Sequence, residues 1–248
     1  MPRKARRESR SGVYHIIKRG INKQSIFQDE EDKDIYLDRL LQCKKDSAFE
    51  LYAYCLMSNH VHLLIKEGNE SISIVMKRIG ISYAYWYNKK YDRIGHLFQD
   101  RFRSEAVEND KYLLTVTRYI HQNPVKIGLR IDDWTSYNSY LKDTVFVDTQ
   151  LILEMFSANK KEARMMFIEF MNETTNDACL DMHENGRLSD IEAGKLIKEI
   201  SRVTSCQDLQ YLNMENRDNI LRSLKEAGIS IRQIARITGL NRGVVLSA

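Results

Sequence analysis

Apolar positions alternate moderately over Val13–Lys18 and predict a strand, which Gly20-Ile21-Asn22 ends as a turn. Over Glu30–Lys45 the spacing of Ile35, Leu37, Leu40 and Leu41 instead predicts an amphipathic helix. Phe49–Met57 and Val61–Lys66 are rich in aromatic and aliphatic residues and flank Ser58-Asn59, the pattern of two strands joined as a hairpin. Ser71–Lys90 reads as a second helix, with Ser71 or Ser73 as its N-cap. After a loop containing Gly95, Phe98–Val107 reads as a strand, and Asn109 or Asp110 opens a helix that runs to about Gln122. Asn123-Pro124 stops it, because proline disfavours helical geometry in the residue before it. Trp134–Tyr140 closes the region. The expected fold is α+β over residues 13–142, an antiparallel sheet with helices packed on it.

From Asp148 onward helical periods dominate and aromatics thin out, so a domain boundary is expected near residues 142–148. Residues 148–215 read as a helical linker region in which Met155, Phe156, Met165, Met166, Phe167 and Phe170 form a core-packing stripe. With 43% hydrophobic and 29% charged residues the chain has the composition of a soluble protein with a real core. No run of ~18 apolar residues suggests a membrane span, and no apolar segment follows the basic N-terminus as a secretory signal would require. Cys43, Cys55, Cys179 and Cys206 are too scattered for a zinc pair or a disulfide framework, which points to reduced thiols and a cytoplasmic location. The net charge of +4 excludes little by itself. Its distribution says more: Arg3, Lys4, Arg6, Arg7 and Arg10 crowd an N-terminal arm, residues 1–12, suited either to a phosphate backbone or simply to a solvated terminus.

The densest chemical signal is Ser58-Asn59-His60-Val61-His62-Leu63-Leu64. Residues i and i+2 of a strand share a face, so His60 and His62 project together and supply half a metal site, unless they merely face solvent. In Arg118-Tyr119-Ile120-His121-Gln122-Asn123-Pro124, Tyr119 and Asn123 lie four apart on one helix face. Asn123 offers an oxygen ligand and Tyr119 a phenol beside it; the plainer reading is a packed tyrosine and a helix-ending asparagine. His121 points elsewhere on the helix and is not assigned as a base. Tyr83, Tyr85, Tyr87 and Tyr91 suit core packing or base stacking, and Tyr112 suits packing. Arg19, Arg101, Arg103, Arg118 and Lys126, with Arg6 and Arg7 of the arm, are candidate phosphate contacts or ordinary surface cations.

Together with Tyr14-His15-Ile16-Ile17-Lys18-Arg19-Gly20, Gly95-His96-Leu97-Phe98-Gln99-Asp100-Arg101-Phe102 and Trp134-Thr135-Ser136-Tyr137, these blocks resemble the HUH single-strand endonucleases. Within them the chain is similar to the REP-associated tyrosine transposases, over roughly residues 10–142. The resemblance implies a ferredoxin-like nuclease fold. It implies Mg²⁺ or Mn²⁺ on His60 and His62, with Asn123 completing the protein ligands. It implies Tyr119 as the nucleophile of a single-strand endonuclease and strand transferase, acting through a 5′-phosphotyrosine on hairpin or repeat DNA. The chain departs from the usual family pattern at Ser58, where proline is common, and at Gly20-Ile21-Asn22, where Gly-Asn is common.

Residues 216–248 end in a second pattern. Ile231-Arg232-Gln233-Ile234-Ala235-Arg236-Ile237-Thr238-Gly239-Leu240-Asn241-Arg242-Gly243-Val244-Val245 reads as a helix-turn-helix, similar to that of bacterial replication initiators. Ala235 is small at the crossing, Gly239 permits the turn, and Ile231, Ile234, Leu240, Val244 and Val245 face inward. Asn241 and Arg242 would then enter the major groove of duplex DNA. Two further readings stand beside the nuclease: a sequence-specific DNA-binding regulator whose catalytic set is unused, and a replication-initiator nickase. Oligomeric state is not legible.

Overall fold

The computed structural model describes residues 8–142, 144–173, 179–180 and 190–248, which fall into two compact units, Met1–Asp181 and Met182–Ala248. In the first unit, strands β1 (Val13–Arg19), β2 (Glu50–Met57), β3 (His60–Lys66) and β4 (Arg103–Ala106) form one antiparallel sheet in the order β2-β3-β1-β4. Helix α1 (Glu30–Ser47) connects β1 to β2, and α2 (Ile72–Lys90) connects β3 to β4. The sequence β-α-β-β-α-β with this strand order is the ferredoxin-like arrangement. The boundaries of α1 and α2 follow from their ends. Asp29 accepts from Asp32 N–H while the Asp32 carboxylate accepts from Asp29 N–H, a reciprocal cap. Ser71 precedes α2 in extended geometry.

β4 is shorter than the expected Phe98–Val107. Ile17 pairs with Arg103, so a continuous ladder would set Asp100 opposite Gly20; Phe98 takes that place instead. The surplus residues leave the sheet as a loop that exposes Arg101.

Register sorts the side chains onto two faces. Ile16, Lys18, Val61 and Leu63 share one, against α2. His15, Ile17, Arg19, His60, His62 and Leu64 share the other, across which α3 (Asp110–Gln122) lies. Asn109 caps α3 by accepting from Tyr112 N–H at 2.9 Å. Asn123 keeps helical angles (φ −56°, ψ −44°) despite the proline that follows, so the α3 face continues through it.

Lys18 is buried among apolar groups. Its Nζ donates to Met76 O at 3.3 Å and sits 4.3 Å from the Phe98 ring centre, in space that a Cβ on Gly80 would occupy. Burial pushes its pKa down to about 8 from the ordinary 10.5. Holding the charge there costs on the order of 3 kcal/mol at neutral pH. Because the folded-state value is the lower one, the cost is fully present below about pH 8 and fades as pH rises toward 10.5. Lys18→Met is therefore expected to stabilise the protein by roughly 1–3 kcal/mol at pH 7 in urea denaturation. The gap to wild type should narrow at high pH; a gap independent of pH would rule out this origin.

The first unit does not stop at residues 142–148. α4 (Tyr137–Leu141), α5 (Gln150–Glu154) and α6 (Lys160–Asn172) pack into the same core, with Ile152, Leu153, Ala163, Phe167 and Met171 buried. Phe167 stacks on Tyr140, ring centres 4.3 Å apart. Residues 150–172 are thus part of the sheet unit rather than a linker: an apolar stripe this wide needs a partner surface, and α3 with α4 supplies it. Met165 and Met166, assigned to that stripe from sequence, point outward instead (53% and 40% exposed).

The second unit has its own core. α7 (Asp190–Ser201), a 3₁₀ segment (Cys206–Tyr211), α8 (Met214–Glu226), α9 (Ile231–Thr238) and α10 (Arg242–Ser247) bury Ala193, Ile197, Leu209, Leu221, Ile234 and Val245 together. α9 and α10 therefore rest on α7 and the 3₁₀ segment, so the unit begins well before residue 216. Ser230 caps α9, Gly239 turns the chain at φ +76°, and Asn241 caps α10 by accepting from Gly243 N–H at 2.8 Å.

Candidate active site

Hydrogen-bonded and diagonal pairing across β1 and β3 gathers three histidines. His62 pairs with Ile17 and His60 with Arg19, which places His15, two residues before Ile17, diagonal to His62. His15 and His62 are fully buried, their rings stacked at 5.4 Å, with His15 Nε2 3.1 Å from His62 Nδ1. His60, half-buried at the mouth of the hairpin, has its ring centre 4.9 Å from that of His62. Its Nδ1 lies 2.6 Å from Asn59 Oδ1.

Helix α3 brings Tyr119 onto this group. Its ring stands edge-on to His15 and His62, 5.8 Å from each, and is 5% exposed. Lys126 follows in the 3₁₀ turn Val125–Ile127 and places Nζ 3.7 Å from the Tyr119 ring centre. Asn123, one turn after Tyr119 and buried, donates from Nδ2 to Tyr119 O at 2.8 Å, which leaves Oδ1 as its electron-donating end.

Burial holds the pKa of His62 well below the usual histidine value, and the neighbouring His15, His60 and Lys126 push the same way. A neutral imidazole retains a lone pair for a cation. His62 Nε2 is buried and has no hydrogen-bond partner among the described residues. An orphaned buried nitrogen beside a second imidazole fits a divalent cation. Among the described residues no three His, Cys, Asp or Glu side chains form a metal cluster.

His121 lies apart. Its Nε2 is 2.7 Å from Ser136 Oγ, its ring packs against Tyr137, Tyr140 and Phe167, and burial pushes its pKa down to about 3. It is a core histidine. Tyr112 bonds Glu105 Oε2 through its hydroxyl at 2.6 Å, Tyr83 and Tyr87 are buried in the core, and Tyr85 is exposed.

The cationic candidates divide. Arg19 flanks His60 on the same face, and Arg101 and Arg103 are exposed along the β4 edge. Arg118 is a correction: it is buried, its guanidinium lies 4.1 Å from the Phe170 ring centre, and Nη1 is 2.6 Å from Glu173 Oε2. It ties α3 to α6, a partner hidden from local sequence, and is not a surface phosphate contact. Arg6 and Arg7 lie outside the described residues. Asn241 and Arg242 are exposed at the start of α10 in the second unit.

His15 and Asn59 were not assigned roles from sequence. His15 was legible as a polar residue amid the apolar stretch Val13–Ile17, but only strand register shows that it meets His62.

Residues 9–123 match the family described as transposase IS200-like. A REP-associated tyrosine transposase of Escherichia coli K12 is 27% identical over 99 residues, 38% of this chain and 57% of that protein. Its provisionally named counterpart in Haemophilus influenzae Rd is 28% identical over 108 residues, 38% of this chain and 61% of that protein. The matched segments thus span less than two thirds of either relative. A solved structure of a REP-associated tyrosine transposase bound to a REP hairpin superposes with a TM-score of 0.50 at 21% identity, covering 57% of this chain and 86% of the other, and shows the shared fold.

Proposed function

We propose, from the match of residues 9–123 to the transposase IS200-like family, that the protein is a metal-dependent single-strand DNA endonuclease and strand transferase with Tyr119 as nucleophile. The observation that carries the reading is the Tyr119 ring set edge-on against His62, whose buried Nε2 lacks a partner among the described residues.

His60, His62 and Asn123 would hold Mg²⁺ or Mn²⁺. When bound, such a cation neutralises a phosphate oxygen and polarises phosphorus. Tyr119 Oη then forms a bond to phosphorus as the bond from phosphorus to the 3′ oxygen breaks. The phenol gives up its proton and the leaving oxygen gains one. The products are a 5′-phosphotyrosine and a free 3′-hydroxyl, and because the phosphodiester energy is retained, a 3′-hydroxyl can reverse the step on another strand without ATP. Lys126 stands over the Tyr119 ring, where it would meet an arriving phosphate, and Arg19 flanks His60.

Two of the matched proteins are named for REP sequences and one is bound to a REP hairpin; a folded single strand is accordingly the substrate proposed here. No helix among the described residues is long and apolar enough to cross a membrane. Read as a helix-turn-helix, α9 and α10, joined at Gly239, would let Arg242 and Asn241 contact duplex DNA, although Asn241 Oδ1 is already used as a cap.

The test is a gel assay on end-labelled hairpin DNA with Mn²⁺, scored for a covalent protein–DNA band. A band supports the nuclease. Tight duplex binding with no band on any hairpin supports the regulator.

A further inference from the structure

We propose that His15 and Asn59 are positioning residues that hold His62 and His60 with the proton on Nδ1, so that both Nε2 lone pairs face the cation. The inference rests on the metal reading above and adds the groups that make it work.

Asn59 bridges. Its Nδ2 donates to Lys23 O at 3.3 Å, so Oδ1 is the end that meets His60 Nδ1 at 2.6 Å. An amide oxygen only accepts; the proton must therefore sit on His60 Nδ1, and in the neutral ring Nε2 keeps its lone pair. The turn that presents Lys23 O is itself held open: Asn22 and Lys23 are both left-handed (φ +51° and +61°), and Gly20 N–H donates to Asn59 O at 2.9 Å. A Cβ on Gly20 would run into Gln24 O, so the turn closes only around a glycine.

His15 does the same for His62. The contact of 3.1 Å between His15 Nε2 and His62 Nδ1 needs one donor and one acceptor. If His62 donates, its Nε2 is a buried lone pair without a partner among the described residues, which a cation satisfies. If His15 donates, the buried Nε2 of His62 carries an N–H that a cation repels. The first assignment gives His62 the same tautomer that Asn59 imposes on His60, so both rings present Nε2 as the acceptor end. His15 then carries its own proton on Nδ1. Metal-bound histidines are commonly fixed through the second ring nitrogen in this way, and loss of such a partner typically costs 10–100-fold in metal affinity.

Two readouts on the full chain test this. Long-range proton–nitrogen correlation spectra of metal-free, ¹⁵N-histidine-labelled protein report the tautomer of each ring. His60 and His62 are both expected to be protonated on Nδ1; a proton on Nε2 of either overturns the assignment for that ring. Calorimetric titration with Mn²⁺ alone then compares variants. Asn59→Ala and His15→Phe are each expected to weaken binding about 10–100-fold, and His15→Gln, whose amide oxygen can accept from His62, to recover most of it. Wild-type affinity in a folded His15→Phe protein would overturn the role of His15. If His15→Phe does not fold, His15→Gln and the wild-type spectra decide. Mn²⁺ binding that survives His60→Ala with His62→Ala would instead defeat the metal site, an outcome separate from the tautomers.

Discussion

Tyr119→Phe should abolish the covalent DNA adduct, a loss of at least about 10⁴-fold in cleavage, while hairpin binding stays within a few-fold of wild type. The substitution removes one oxygen. The ring keeps its edge contacts to His15 and His62 and its place beneath Lys126, so fold and binding surface persist. Three other tyrosines among the described residues have their hydroxyls committed elsewhere. Tyr112 commits its hydroxyl to Glu105, Tyr83 to Ile26 O and Tyr140 to Tyr52 O, and burial raises the pKa of all three. A phenolate is harder to form where a carbonyl or carboxylate already holds the proton. An adduct band of wild-type strength from the phenylalanine variant, located by peptide mapping, would show that another side chain attacks.

What the sequence made legible follows the reach of local patterns. Alternation placed β1, and apolar runs around a turn placed β2 and β3, to within a residue or two; apolar spacing placed α1 and a cap placed the start of α3, because strand faces and helix starts are set by neighbours in the chain. The i, i+2 spacing of His60 and His62 and the i, i+4 spacing of Tyr119 and Asn123 were readable for the same reason. That Tyr119 meets His62 is a tertiary fact, suggested by family resemblance and not by spacing. His15 belongs to the part that stayed hidden: its partner is 47 residues away and depends on register between β1 and β3. Arg118 failed in the opposite sense, since an arginine on a helix reads as exposed until α6 brings Glu173 and Phe170 to it. The domain boundary failed likewise. A change from mixed to helical periods marks a change of element type, and α6 is helical yet belongs to the sheet's core through Phe167 and Met171.

His60→Ala combined with His62→Ala carries the other large effect. Mn²⁺-dependent cleavage should fall by at least about 10³-fold, because the cation contributes several kcal/mol of charge stabilisation as phosphorus is attacked. A second measurement keeps this separate from damage to the fold, which matters because His62 is fully buried and its truncation leaves a cavity. A cation that binds only the folded state raises Tm in proportion to RT ln(1 + [Mn²⁺]/Kd). The wild type should therefore gain thermal stability as Mn²⁺ is added, and the double variant, whatever its starting Tm, should gain none. His60→Ala alone is the milder control. His60 is half-buried and its ring bonds a surface turn, so it can be removed with little loss of packing while still taking one ligand away. If the double variant folds and its Tm still climbs with Mn²⁺ as the wild type's does, the ion binds elsewhere. The buried nitrogen of His62 would then require a different explanation. If the Tm response disappears while cleavage persists, the imidazoles hold a structural ion and Tyr119 attacks without it.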